Sequence, residues 1–189
     1  MSLIPDFKLG LRNAWIFIPY LFLIMYAVVK LKKGEEPKNE LDALSKAEKR
    51  IFIFSKLVLF CVMIYSIFLP LKLRTIWFHL GLPITLIGLA SVTIVMTNCA
   101  TTPWDRPVVK GLYRYSRHPM YITFSLFLLG VSIASASWLF LLLSILFAIS
   151  HFMNAIPEER FCLRQYGEAY REYMNRTPRW IGIAKSGEK

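Results

Sequence analysis

At 189 residues, with 56% hydrophobic and 15% aromatic side chains and a mean hydropathy of +0.46, the chain is too apolar for a soluble domain, whose apolar share is about 45–50%. A net charge of +11 would suggest nucleic acid in a soluble protein. Here the positive charges lie between apolar runs, so anionic lipid headgroups are the counterpart and nucleic acid is not an expected partner.

Cys61, Cys99 and Cys162 share no metal-like spacing, so neither a disulfide framework nor a metal site is expected. No GxGxxG, Walker A or HExxH string occurs, which excludes the common nucleotide and zinc-hydrolase signatures.

A spanning helix needs about 20 mostly apolar residues. The first candidate is Asn13–Val29, followed by lysines rather than a small-residue cleavage site, and it reads as a retained helix. The mixed-charge stretch Lys30–Arg50 contains NELDALSKAEKR, in which Asn39 as N-cap with Asp42 three residues on predicts a short interfacial helix. The second span is Ile51–Leu71, where Lys56 is near enough to the end to snorkel. A tight turn with Lys72 and Arg74 leads to the third, Ile76–Thr97, and a loop with Pro103, Pro107 and Gly111 follows.

From Pro119 to Pro157 there are 39 residues without a formal charge. As one helix they would measure about 58 Å, nearly twice the hydrocarbon thickness, so the run must break. The weak point is GVSIASASW, Gly130–Trp138, where leucines vanish and small and hydroxyl residues gather. Two antiparallel helices, 119–134 and 137–156, are expected. The whole is an all-α integral membrane bundle of about five transmembrane helices, forming a single domain with its cofactor-binding half at about 98–183.

With five spans the termini face opposite sides, one carrying 18 basic residues and the other 4. The positive-inside rule puts the richer side, with the C-terminus, in the cytoplasm and the N-terminus outside. The enclosing membrane would be the cell membrane in a prokaryote or the endoplasmic reticulum in a eukaryote. The loop before His118 and the tail after Pro157 then share one compartment.

The last span ends ISHFMNAIPEERF, in which His151, Asn154 and Glu158 would form one stripe of an ideal helix, with Pro157 able to kink it. Polar side chains within an apolar span usually face a cavity or a packed interior. The hairpin brings Arg117, His118 and Tyr121 beside His151, Asn154, Glu158 and Glu159, a mixed-sign cluster suited to a zwitterionic ligand. Beyond it, RFCLRQYGEAYREYMNRTPRW predicts an amphipathic surface helix, with Gly167 marking close packing and Arg160, Arg164 and Arg171 as anchors.

Together GLYRYSRHPMY (Gly111–Tyr121) and EERFCLRQYGEAYREYMNRTPR (Glu158–Arg179) resemble the isoprenylcysteine carboxyl methyltransferase family and its relatives among membrane phospholipid methyltransferases. That family's pattern is RHPxYxG, a helical hairpin, then EExxLxxxYGxxYxxYxxxxPR; Thr123 stands where a glycine is usual. The resemblance covers about the last 80 residues. It implies a methyltransferase that uses S-adenosylmethionine, releases S-adenosylhomocysteine and acts on a prenylated cysteine carboxylate approaching from the bilayer.

It also implies that His118, Tyr121, His151, Asn154, Glu158 and Glu159 line the cofactor site, with Leu112 and Tyr113 touching it through the loop. Glu159 would pair with the cofactor's amino group and Arg117 with its carboxylate or the substrate's. Arg164 joins these two near the chemistry, and Tyr166 and Tyr170 are substrate-side groups. Glu159→Gln is expected to abolish S-adenosylhomocysteine binding in a folded protein.

Other readings compete. A phospholipid amine as acceptor would need a base, a task for His118 or His151. A sterol-reductase-like enzyme using NADPH shares a similar RHPxY and tail but has a longer N-terminal half. A non-catalytic scaffold would use the polar stripe for packing alone.

Overall fold

A computed structural model describes residues 10–32 and 44–182. A 3₁₀ turn, Ala14–Phe17, leads into α1 (Ile18–Leu31). There follow α2 (Lys46–Ile67), α3 (Ile76–Ala100), a second 3₁₀ turn (Gly111–Arg114), α4 (Pro119–Ala134), α5 (Trp138–Met153), α6 (Ala155–Tyr166) and α7 (Glu168–Arg176). Among the described residues four stretches are long and apolar enough to cross a membrane: Ala14–Leu31, Lys46–Ile67, Ile76–Ala100 and Trp138–Tyr166; α4 is a shorter apolar helix. The all-helical membrane bundle and its terminal hairpin are therefore as the sequence indicates.

Local chemistry sets the helix starts. Ser45 and Glu48 form a reciprocal capping box at the head of α2. Lys46–Arg50 are thus the first turns of a long helix rather than part of a separate one; Asn39 and Asp42, the expected cap and its partner, lie outside the described residues. Thr75 and Ser137 cap α3 and α5 through their hydroxyls, and Pro119 opens α4 where its missing N–H costs nothing.

The uncharged run turns at Ser135–Ser137, as its composition suggested. Its second half departs from expectation. The helix that starts at Trp138 stops at Met153, and α6 restarts at Ala155. Pro157 has no N–H to offer the carbonyl four residues back, so the ladder gives way there.

A second correction concerns Gly167. The expected single amphipathic helix is two, because Gly167 adopts φ +56° and ψ −127°, a region open essentially to glycine alone. A Cβ at this position would meet nothing within 4 Å, so backbone conformation, not close packing, is the reason for the glycine.

The tightest packing joins α3 and α4. A Cβ on Gly81 would come within 2.2 Å of the Ala134 nitrogen, one on Gly88 within 2.6 Å of the Phe127 Cα, and one on Gly130 within 2.4 Å of the Thr85 nitrogen. These pairs run in opposite directions along the two helices, so the helices are antiparallel and meet backbone to backbone. Such an interface suits lipid, where association rests on close van der Waals packing of small residues.

Helices α4 and α5 are antiparallel too, through Ser132–Ser144 at 3.2 Å, Phe124–Phe147 and Tyr121–His151. α2 pairs with α5 from Tyr65–Ser137 to Ser55–Asn154. One end of the bundle gathers the start of α1, the α2–α3 turn and the α4–α5 turn. The other gathers the starts of α2 and α4, the end of α3, and α6.

Candidate active site

The RHP segment is held by the chain's own C-terminal stretch. The Arg117 amide donates to the Pro178 carbonyl at 3.0 Å and the Gly182 amide to the Tyr115 carbonyl at 3.0 Å. The Ser116 hydroxyl donates to the Arg179 carbonyl at 3.1 Å and accepts from the His118 amide at 3.1 Å. Tyr173 donates its hydroxyl to the Tyr113 carbonyl at 2.7 Å. Burial raises the Tyr173 phenol's pKa, so it stays a donor.

This framework aims His118 at two neighbouring carboxylates. Its Nε2 lies 3.2 Å from Glu159 Oε1 and its Nδ1 lies 3.4 Å from Glu158 Oε2. Burial alone would lower the His118 pKa, but hydrogen bonds to Glu158 and Glu159 outweigh it and raise the value. With a carboxylate oxygen beside each ring nitrogen, the geometry favours the imidazolium, in which both nitrogens donate.

The two acids differ in setting. Glu159 is only 3% exposed. It receives Arg179 Nη2 at 2.7 Å and Nε at 3.1 Å, with Arg117 Nη1 at 3.2 Å. These bonds with Glu159 raise the Arg179 pKa further. Glu158 accepts from the Tyr121 hydroxyl and keeps an exposed face. Glu159 is thus engaged by Arg179, Arg117 and His118, while Glu158 is the more exposed of the two carboxylates.

Glu158 and Met120 border two cavities. One, of about 220 Å³, is lined by Arg117 with Trp104, Tyr113, Phe161, Tyr166, Tyr170 and Tyr173. The other, of about 230 Å³, lies against α2 and is lined by Phe52, Ser55 and Lys56 opposite Tyr121, His151 and Asn154. His151 sits between Tyr121, 4.0 Å away by ring centroid, and Phe147, stacked at 4.8 Å. Asn154 donates to Ser55 Oγ at 3.2 Å and the Ser150 carbonyl at 3.1 Å.

The residues singled out in the sequence thus divide. Tyr113, Arg117, Tyr166 and Tyr170 line the aromatic cavity; Tyr121, His151 and Asn154 line the other; Glu158 belongs to both. His118 and Glu159 lie behind the walls. Leu112 shapes the turn through its carbonyl, which accepts from the Tyr115 and Ser116 amides. Arg164 is exposed, bonded to the Arg160 carbonyl, and lines neither cavity. Thr123 is buried, its hydroxyl bonded to the Met120 carbonyl at 3.3 Å.

Three contributors carried little or no individual signal. Arg179 was visible only as the end of the PR string. Trp180 packs near the His118 ring at 5.8 Å. Lys56 looked like an interfacial anchor.

Residues 77–169, about half of the chain, match the family model described as phospholipid methyltransferase. The matched region runs from α3 through the hairpin and Glu158 to the start of α7. The chain belongs to this family of membrane methyltransferases, which is related to the isoprenylcysteine carboxyl methyltransferases. No curated protein matches it.

Proposed function

We propose that this protein transfers the methyl group of S-adenosylmethionine to an amine on a membrane lipid. The observation that carries the proposal is the position of Glu158, one carboxylate bordering two cavities. The aromatic cavity fits the cofactor. Arg117 Nε and Nη1 are buried there without a hydrogen-bond partner, although Nη1 is within ion-pair distance of Glu159. A ligand carboxylate would satisfy them, and aromatic walls suit a purine.

When bound, S-adenosylmethionine supplies an electrophilic methyl carbon on a cationic sulfur. The chain's residues must then orient the acceptor, exclude water and take a proton. Glu158 favours a cation at the wall between the cavities. The base is His151 rather than His118, because both His118 nitrogens are committed to carboxylates. As the nitrogen–carbon bond forms and the carbon–sulfur bond breaks, the surplus amine proton passes to His151.

A lipid-borne acceptor is supported by a separate apolar groove of about 220 Å³ lined by later turns of α2 and α4 than those that line the second cavity. On α2 it follows Lys56 with Leu59 and Val62, and on α4 it follows Tyr121 with Phe124. The basic end of the bundle, facing the cytoplasm by the positive-inside rule, presents the cofactor side to the cell's supply.

A carboxylate acceptor, such as a prenylated cysteine, is the second reading. Lys56 favours it and Glu158 opposes it. Purified full-length protein, methyl-labelled S-adenosylmethionine and phosphatidylethanolamine separate the readings. Base-stable label in the lipid, reduced about 100-fold in kcat/KM by Glu158→Gln, is expected for a removed charge-stabilising group. Base-labile label on N-acetyl-S-farnesylcysteine assigns the carboxylate reading, and no transfer to either acceptor overturns both.

A further inference from the structure

We propose that Lys56 of α2 holds the anionic group of the methyl acceptor, the phosphate of a phospholipid or the carboxylate of a prenylated cysteine. The proposal rests on the methyl-transfer reading and adds the residue that selects the acceptor. Lys56 is the one formal charge between Ile51 and Leu71. Lys56 is exposed on α2, and an ammonium within an apolar span is costly unless a partner or a watery cavity receives it. Measured along α2, Lys56 lies about 15 Å beyond Lys46.

Its environment argues for a binding role beyond anchoring. The Lys56 ammonium is 5.0 Å from the Phe52 ring centroid, one turn nearer the start of α2, and both residues line the cavity that contains His151 and Glu158. Among the described residues no carboxylate lies within ion-pair distance of Lys56. Glu158, the carboxylate on the far wall, turns one oxygen to Tyr121 and His118 and makes no ion pair with Lys56. Among the described residues the cavity therefore sets a cation without a carboxylate partner opposite a carboxylate and a base. That arrangement complements a headgroup carrying an anion beside the group to be methylated.

α2 lies outside residues 77–169. The matched region accordingly carries the methyl-transfer wall, while a helix beyond it supplies the acceptor's counter-ion. Anchoring predicts a different result: it would affect every acceptor equally.

The test uses full-length wild type, Lys56→Met and Lys56→Arg in detergent. The acceptors are phosphatidylethanolamine, a phosphate-free amino lipid of equal chain length and N-acetyl-S-farnesylcysteine. For phosphatidylethanolamine, Lys56→Met is expected to raise KM about tenfold or more, the scale of a lost charge-assisted bond. The phosphate-free lipid should be unaffected, Lys56→Arg should restore the wild-type KM, and S-adenosylhomocysteine affinity by calorimetry should not change. A selective KM rise for the farnesylcysteine instead supports Lys56 as a carboxylate site.

An equal effect on the phosphate-free lipid, weakened S-adenosylhomocysteine binding, or unchanged KM for every acceptor overturns the proposal. Should wild type methylate none of the three, the methyl-transfer reading fails separately. Retention of added phosphatidylethanolamine and of the phosphate-free lipid, measured by mass spectrometry, then decides the Lys56 site. Selective loss of the phospholipid from Lys56→Met supports the site; equal retention overturns it.

Discussion

Replacing Glu159 by glutamine would leave Arg117, His118 and Arg179 converging on a neutral amide, with three positive groups and no charge between them. Breaking a buried ion network by removing one partner costs on the order of 3–5 kcal/mol. Glu159→Gln should accordingly lower the apparent Tm by roughly 10 °C at this chain length, whereas Glu158→Gln should lower it much less. A thermal-shift series on the purified variants checks the contrast. A loss of S-adenosylhomocysteine affinity in Glu159→Gln without that fall in Tm would instead mark a direct ligand contact. His118 adds a pH signature. Its raised pKa means that its stabilising ion pairs are fully formed below its ordinary value of 6.5 and fade as pH rises through the raised value. The Tm should therefore fall as pH rises above about 6.5, and His118→Gln should flatten that slope. The sequence marked both acids but could not separate them, because the difference arises from Arg179, which reaches Glu159 only after α7 has doubled back.

Helices α3 and α4 depend on glycines in a way open to direct test. Gly130 has no room for even a methyl group beside Thr85, and the obstruction is backbone on the facing helix, not a flexible side chain. Gly130→Leu must push the helices apart, at a cost above the roughly 1–3 kcal/mol of ordinary core overpacking. The expected outcome is a protein that fails to give a monodisperse peak on size exclusion in detergent, with Leu129→Phe, on an exposed neighbouring position, behaving as wild type. At this scale much was legible in advance. The 39-residue uncharged run had to fold back on length grounds, and it turns in its serine-rich stretch. The break at Met153 was less legible: Pro157 points to a kink, but that the helix stops and restarts there, with Asn154 turned to Ser55, depends on a contact 99 residues away in sequence. A glycine such as Gly167 suggests close packing in sequence because residue size is legible there and φ is not.

Across the whole molecule, the polar cavity and the apolar groove are lined by successive turns of α2 and α4, and Phe124 of the groove packs on Phe147, which in turn stacks on His151 of the polar cavity. A lipid whose headgroup reaches His151 would have its chain directed into the space bounded by Leu21 and Met25 of α1, Met63 of α2 and Phe140 of α5. The first two helices carry no motif; α2 lines both the polar cavity and the groove, and α1 contributes by walling the groove. If the groove seats a chain, filling it must discriminate by chain length and leave the chemistry intact. Leu21→Trp or Met63→Trp adds indole volume to a space of about 220 Å³. Each should raise KM for dioleoyl phosphatidylethanolamine about tenfold, the loss of nearly two buried methylenes at ~0.8 kcal/mol each. Turnover of dihexanoyl phosphatidylethanolamine, whose short chains need little of the groove, should change less than about twofold. Equal impairment of both lipids would show that the groove is only a packing defect between α1 and α2, and that the acceptor's chain stays in the bilayer while its headgroup alone enters the site.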